Sequence, residues 1–138
     1  MLTLSDVRDP RAEAAVVDGL AAFNQDAFGR ADSRTLDIVV RDDKSDEIIG
    51  GLIGHTSLGL FSLDLFYLPK EQRGGGLGSR LIAQAEAEAR RRGCTTALVY
   101  TMTFQAPGFY ERHGYRPFGE IACPPDGATR IFLSKPLD

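Results

Sequence analysis

The feature that most constrains this chain is a change of hydrophobic period across one glycine-rich segment. Leu60-Phe61-Ser62-Leu63-Asp64-Leu65-Phe66-Tyr67-Leu68 reads as a long, aromatic-rich strand ended by Pro69. After Gly74, Gly75, Gly76 and Gly78, the apolar residues Leu81, Ile82, Ala85 and Ala89 fall on one face of a helix over residues 79–92, with Arg80, Gln84, Glu86 and Glu88 elsewhere. Successive glycines remove Cβ atoms, so several backbone N–H groups can turn inward onto one anion. The helix that follows adds its free N-terminal donors and positive dipole end. The segment is a socket for a phosphate or pyrophosphate.

Around it the punctuation comes from Gly, Pro and Asp. Asp9-Pro10 opens a helix over residues 10–27, and Gly29 closes it as a left-handed cap. Leu36, Ile38 and Val40 alternate along a half-buried strand, and residues 47–56 return as its hairpin partner. Downstream, residues 95–102 read as a strand and 106–113 as a short helix, with two last strands at 115–121 and 130–133. The order β-α-β-β-β-α-β-α-β-β predicts a mixed α+β or three-layer arrangement, not a repeating βαβ array.

Composition narrows the function. At 138 residues the expectation is one domain, 1–138. Sixteen basic against nineteen acidic residues leave a net charge of −3, against any bulk grip on nucleic acid, which needs clustered positive charge. No apolar run approaches the roughly 18 residues of a membrane span, and the N-terminus lacks a signal-peptide pattern. The expected home is the cytoplasm. Cys94 and Cys123 are too few for a disulfide scaffold and are not spaced for zinc. No metal is expected.

The loop itself excludes the familiar nucleotide motifs. A P-loop needs a Lys inside the glycine run, and none follows Lys70; the dinucleotide fingerprint needs Gly where Ser79 or Leu81 stands. What matches is Arg73-x-x-Gly76-x-Gly78, which resembles the Gln/Arg-x-x-Gly-x-Gly/Ala signature of the GCN5-related N-acetyltransferases, the GNAT superfamily. Gly108-Phe109-Tyr110-Glu111-Arg112-His113-Gly114-Tyr115 resembles that family's Phe-Tyr-x-x-x-Gly-Phe segment, and Phe132-Leu133-Ser134-Lys135-Pro136-Leu137 its last strand.

The resemblance implies an α/β layer sandwich with a mixed, mostly antiparallel, splayed sheet flanked by helices. It implies acetyl-CoA as cosubstrate and a small-molecule amine as acceptor, joined by direct attack in a ternary complex. The diphosphate would lie on the N–H groups of Gly74, Gly75, Gly76, Leu77, Gly78 and Ser79, with Arg73 bracing the loop or touching a phosphate. Phe66, Tyr67 and Leu68 would pair the pantetheine arm as an added strand would, a main-chain recognition tolerant of side-chain identity. Tyr110 takes the position of the family's general acid, protonating the departing thiolate. Asp64 is the candidate base and His55 its alternative. Thr103 stands where the family often has Asn against the pantetheine, and Gln105 could serve instead. The acceptor site would be drawn from residues 23–30, 55–59 and 121–129. Dimers are frequent in the superfamily, so a homodimer is an admissible assembly. The rival reading is a non-catalytic acyl-CoA-binding or regulatory module that kept the socket and lost the chemistry.

Overall fold

A computed structural model describes all residues, Met1–Asp138, and the backbone divides into two compact units, Met1–Asp32 and Ser33–Asp138. The first is built on helix α1 (Pro10–Phe28). The Asp9 carboxylate accepts the Arg11 N–H at 2.9 Å and Pro10 stands in the first turn, while Gly29 ends the helix at φ +83° with its N–H on the Gln25 carbonyl. Those are the start and stop signals the sequence carried. Residues 1–9 form no strand. The expected order therefore loses its leading β, because Met1-Leu2-Thr3-Leu4 is too short an alternation before Asp9-Pro10 and finds no partner strand.

The second unit is a six-stranded sheet: β1 (Arg34–Arg41), β2 (Ile48–Ser57), β3 (Leu60–Tyr67), β4 (Thr96–Met102), β5 (Arg116–Cys123) and β6 (Ala128–Pro136). Its spatial order is β1-β2-β3-β4-β6-β5, antiparallel except for the parallel pair β3–β4. That pair is joined through helix α2 (Leu77–Arg91), as a parallel connection requires a crossover. A short helix α3 (Pro107–Arg112) follows β4. No helix is long and apolar enough to cross a membrane.

Both of these helices pack on one face of the sheet. Leu36, Leu52, Phe61, Leu63, Ala97, Val99 and Leu133 point to that face and meet Ile82, Ala85 and Ala89 of α2 and Tyr110 of α3 in one core. By alternation, Tyr100 and its cross-strand partner Phe132, and Met102 and its partner Arg130, point to the opposite face. Close strand approach explains one glycine: a Cβ on Gly54 would lie 2.5 Å from the Ser62 carbonyl oxygen. Beside Gly54 the β2–β3 register slips, pairing Ile53 with Leu65 but Gly54 with Leu63, so Asp64 is an extra residue in β3.

Glu86 departs from the expectation that sets it off the apolar face of the helix. It is buried in α2, accepting the Tyr115 hydroxyl and the Lys135 ammonium, each at 2.8 Å, while Arg90 lies at 3.9 Å. Arg90, Arg91 and Arg92 hold the end of α2: Arg90 donates to the Leu137 carbonyl, Arg91 and Arg92 pair with Glu88, and Arg92 reaches Thr35 and Thr56.

Candidate active site

The parallel pair is short. β3 and β4 are in register only from Leu60–Thr96 to Leu63–Val99, although β3 runs on to Tyr67 and β4 to Met102. Beyond Leu63 the strands part, leaving the facing edge of residues 64–67 without a strand partner. The gap is a cleft of about 940 Å³ lined by β3 and β4, by Arg73, Gly74, Gly76, Gly78 and Ser79, and by Phe109, Tyr110 and Arg130. Phe66, Tyr67 and Leu68 all lie on its wall.

The glycine loop closes one end of this cleft. A single 3-10 turn, Lys70–Gln72, leads into it. Arg73 braces the entry: its Nε–H donates to the Leu68 carbonyl at 2.8 Å, and its guanidinium lies 5.9 Å over the Tyr67 ring. Gly74 and Gly76 adopt φ +83° and +86°, where a side chain is strained, yet a Cβ at 74, 75 or 76 would touch nothing. The glycines thus serve backbone conformation beside open space. The first hydrogen bond of α2 runs from the Arg80 N–H to the Gly76 carbonyl at 3.1 Å. The N–H groups of Gly74, Gly75, Gly76, Leu77, Gly78 and Ser79 have no acceptor in the protein. Gly75 and Leu77 are not among the residues that line the cleft.

Helix α3 is seated tightly on this loop. A Cβ at Gly78 would come within 3.2 Å of the Phe109 ring. His113 links the two helices, with Nδ1 and the Phe109 carbonyl at 2.8 Å and Nε2 and the Ser79 hydroxyl at 2.8 Å. A carbonyl only accepts, so Nδ1 carries a proton, and Nε2 is the ring atom that meets the Ser79 hydroxyl. The sequence reading did not single out His113; the dipeptide His113-Gly114 at a helix end gave no sign of a partner 34 residues away.

Tyr110 follows from that seat. It is 7% exposed, its ring edge-on to Phe109 and Tyr115, and it lines the cleft. Burial pushes its pKa up to about 12, so the phenol is a protonated donor throughout the neutral range. Its hydroxyl has no hydrogen-bond partner within the protein and is not sealed from the cleft.

Asp64 and His55, alternatives in the sequence, form one unit. Alternation from core-facing Leu63 puts Asp64 on the face opposite α2, where Oδ2 stands 2.8 Å from His55 Nδ1 and Oδ1 accepts the Ser62 hydroxyl at 2.8 Å. Both carboxylate oxygens are engaged. An acceptor on Nδ1 fixes the proton there, leaving His55 Nε2 as the basic atom. Ser62 was not anticipated; it lies directly across from His55 in the ladder.

Thr103 is placed differently from Gln105. The Thr103 hydroxyl accepts the Thr129 N–H at 3.2 Å and its own N–H donates to the Thr129 carbonyl, tying the end of β4 to β6, and it does not line the cleft. Gln105 does line it, with Oε1 accepting from the Thr101 hydroxyl and the Met102 N–H, so its side-chain amide keeps both N–H donors.

The chain is similar to known proteins. The family model described as the acetyltransferase (GNAT) domain matches residues 34–117. Acetyltransferase Atu2258 of Agrobacterium fabrum is 41% identical over 132 residues, 96% of each chain. Blasticidin-S acetyltransferase of Streptomyces morookaense is 49% identical over 92 residues, covering 66% of this chain and 68% of that one. A crystal structure from Agrobacterium tumefaciens superposes with a TM-score of 0.85 at 40% identity, covering 99% of this chain and 98% of the other. With the splayed strands, the glycine loop and the Tyr110 helix in one cleft, the chain belongs to the GNAT acetyltransferases.

Proposed function

We propose that this acetyltransferase moves the acetyl group of acetyl-CoA to the amine of a small molecule by direct attack in a ternary complex. The observation that carries the reading is the row of six N–H groups without an acceptor, four of them in residues that line the same cleft as the unpaired edge of β3 and the buried Tyr110 phenol. A diphosphate satisfies the amides and the dipole end of α2, an extended amide-containing arm satisfies the strand edge, and a thioester is what then reaches Tyr110. Acetyl-CoA supplies these three chemistries in that order. Similarity to Blasticidin-S acetyltransferase supports a small-molecule acceptor, and blasticidin S is the first acceptor to try.

The residues divide the reaction between the two faces of the sheet. On the face opposite α2, His55 Nε2 takes the proton from the acceptor ammonium, directly or through one water, while Asp64 stabilises the imidazolium. The freed amine forms the new C–N bond as the C–S bond breaks. On the α3 side, Tyr110 gives its proton to the departing sulfur, and its displaced proton is replaced from solvent at the open cleft. Main-chain donors along the split hold the thioester in place, so positioning supplies much of the acceleration.

Thiol release from acetyl-CoA, followed with blasticidin S and a panel of small amines, tests this. Acceptor-dependent release, with the product heavier by one acetyl group, is the expected result. Binding of acetyl-CoA with no release for any amine would overturn it in favour of a non-catalytic binding module.

A further inference from the structure

Four charged side chains line the cleft: Asp64, Arg73, Arg112 and Arg130. Arg73 is spent on the Leu68 carbonyl, and Arg112 belongs to α3 on the glycine-loop side. The face opposite the helices carries one of each sign, Asp64 on β3 and Arg130 on β6, separated by β4. We infer that Arg130 is the anchor for an anionic group on the acceptor, so that the substrate is an amine that also bears a carboxylate or comparable anion.

Arg130 is mounted for such a role. It pairs with Met102 in the β4–β6 ladder, next to the two hydrogen bonds that lock Thr103 to Thr129. Its single hydrogen-bond partner is the Cys123 sulfur, and no carboxylate approaches its guanidinium. Six other arginines, Arg8, Arg11, Arg30, Arg41, Arg91 and Arg92, each pair with an acid. A planar fork with free donors at the mouth of a cleft recognises a carboxylate or phosphate bidentately. β4 stands between β3 and β6, and the cleft that opens where β3 and β4 part beyond Leu63 leaves room for a small zwitterion between the two side chains. Its ammonium then lies toward Asp64 and His55 and its anion toward Arg130. Reversing that orientation would set like charges together, so the same pair of residues fixes which nitrogen is acetylated.

This inference rests on the acetyl-transfer reading, and the test separates the two. Thiol release is measured with ω-amino acids of two to six methylenes, with the matching alkylamines, and with aminoethylphosphonate, for the wild type, Arg130→Gln and Arg130→Glu. The expected result is a roughly 10- to 100-fold higher kcat/KM for the anionic member of the best pair. Arg130→Gln abolishes that preference and Arg130→Glu inverts it toward the plain amines, while the KM for acetyl-CoA stays within about twofold. A carboxylate preference without a phosphonate one assigns the anion as a carboxylate; the converse assigns it as a phosphonate or phosphate. Equal turnover of anionic and plain amines overturns the inference and leaves acetyl transfer standing, as does an Arg130→Gln defect confined to the KM for acetyl-CoA. No release with any acceptor overturns both. Unchanged thermal unfolding of the variants confirms that they fold.

Discussion

Replacing Glu86 with Ala should destabilise the protein by about 3 kcal/mol, and the structure shows where that figure comes from. Glu86 is 4% exposed in the middle of α2 and receives the Tyr115 hydroxyl on one oxygen and the Lys135 ammonium on the other. Tyr115 is 2% exposed, so without Glu86 its hydroxyl is a buried donor with no acceptor, a loss of about 1–3 kcal/mol. Lys135 retains solvent access, 22% for the side chain, and can swing its ammonium outward, so its share is at most about 1 kcal/mol. The two methylenes lost from the helix face add roughly 1 kcal/mol, partly offset by the better helix propensity of Ala.

Urea unfolding of four proteins checks it: wild type, Glu86→Ala, Tyr115→Phe and the double variant. Tyr115→Phe alone should cost about 1–1.5 kcal/mol, since it removes one charged hydrogen bond but leaves Glu86 paired with Lys135. In the Glu86→Ala background the same change should cost nothing or restore stability, because it deletes the orphaned hydroxyl. A coupling of 1 kcal/mol or more is the signature. Strictly additive losses, or a Glu86→Ala protein within about 0.5 kcal/mol of wild type, would refute the reasoning that this buried acid ties α2 to Tyr115 and β6.

Tyr110→Phe should lower kcat by roughly 10²-fold with little change in the KM for acetyl-CoA, measured by thiol release. The same variant should flatten part of the alkaline loss of stability. Burial holds the folded-state pKa of Tyr110 at about 12, above its usual 10, so its contribution is complete below pH 10 and is lost between pH 10 and 12 as the unfolded chain ionises first. Asp64→Asn and His55→Gln should each reduce kcat by roughly 10- to 1,000-fold, and the double variant should be no worse than the poorer single; multiplying effects in steady-state kinetics would sink the coupled pair. Gly76→Ala, at φ +86° with open space around it, should cost about 1–2 kcal/mol of folding stability through backbone strain alone. It should also raise the KM for acetyl-CoA about tenfold by turning the amide row, with kcat retained.

Most elements were legible because their signals are local. Asp9-Pro10 and Gly29 bound α1, alternation over Leu36, Ile38 and Val40 gave β1, and the apolar face of Leu81, Ile82, Ala85 and Ala89 gave α2. The glycine loop was legible for the same reason, since a strand, a glycine run and a helix start are consecutive in the chain. What stayed hidden depends on partners far away in sequence. Glu86 meets Tyr115 and Lys135 at separations of 29 and 49 residues, and no periodicity of α2 reveals that a glutamate next to Ala85 faces a buried phenol. Ser79 and His113 meet only because Gly78 lets α3 settle against α2.

Asp64 shows most directly why the site was harder to read than the fold. A strict period of two along β3 groups Phe61, Leu63 and Leu65 on the core side and sets Asp64 and Phe66 together on the other. The slip beside Gly54 breaks that phase: Leu65 is 65% exposed, whereas Phe66 packs against the core and Phe109. One inserted residue therefore keeps the second half of β3 docked to the helices through Phe66, while Asp64 stays on the outward side that alternation already gives it and meets His55 and Ser62 at the level where β4 departs. A chain without the slip would put Leu65 in the core and turn Phe66 away from it and from Phe109. The irregularity between Ile53 and Gly54 thus keeps Phe66 in the core beside the split without moving the proposed acid–base pair off the opposite face, and the sequence marks it only by a glycine in the partner strand.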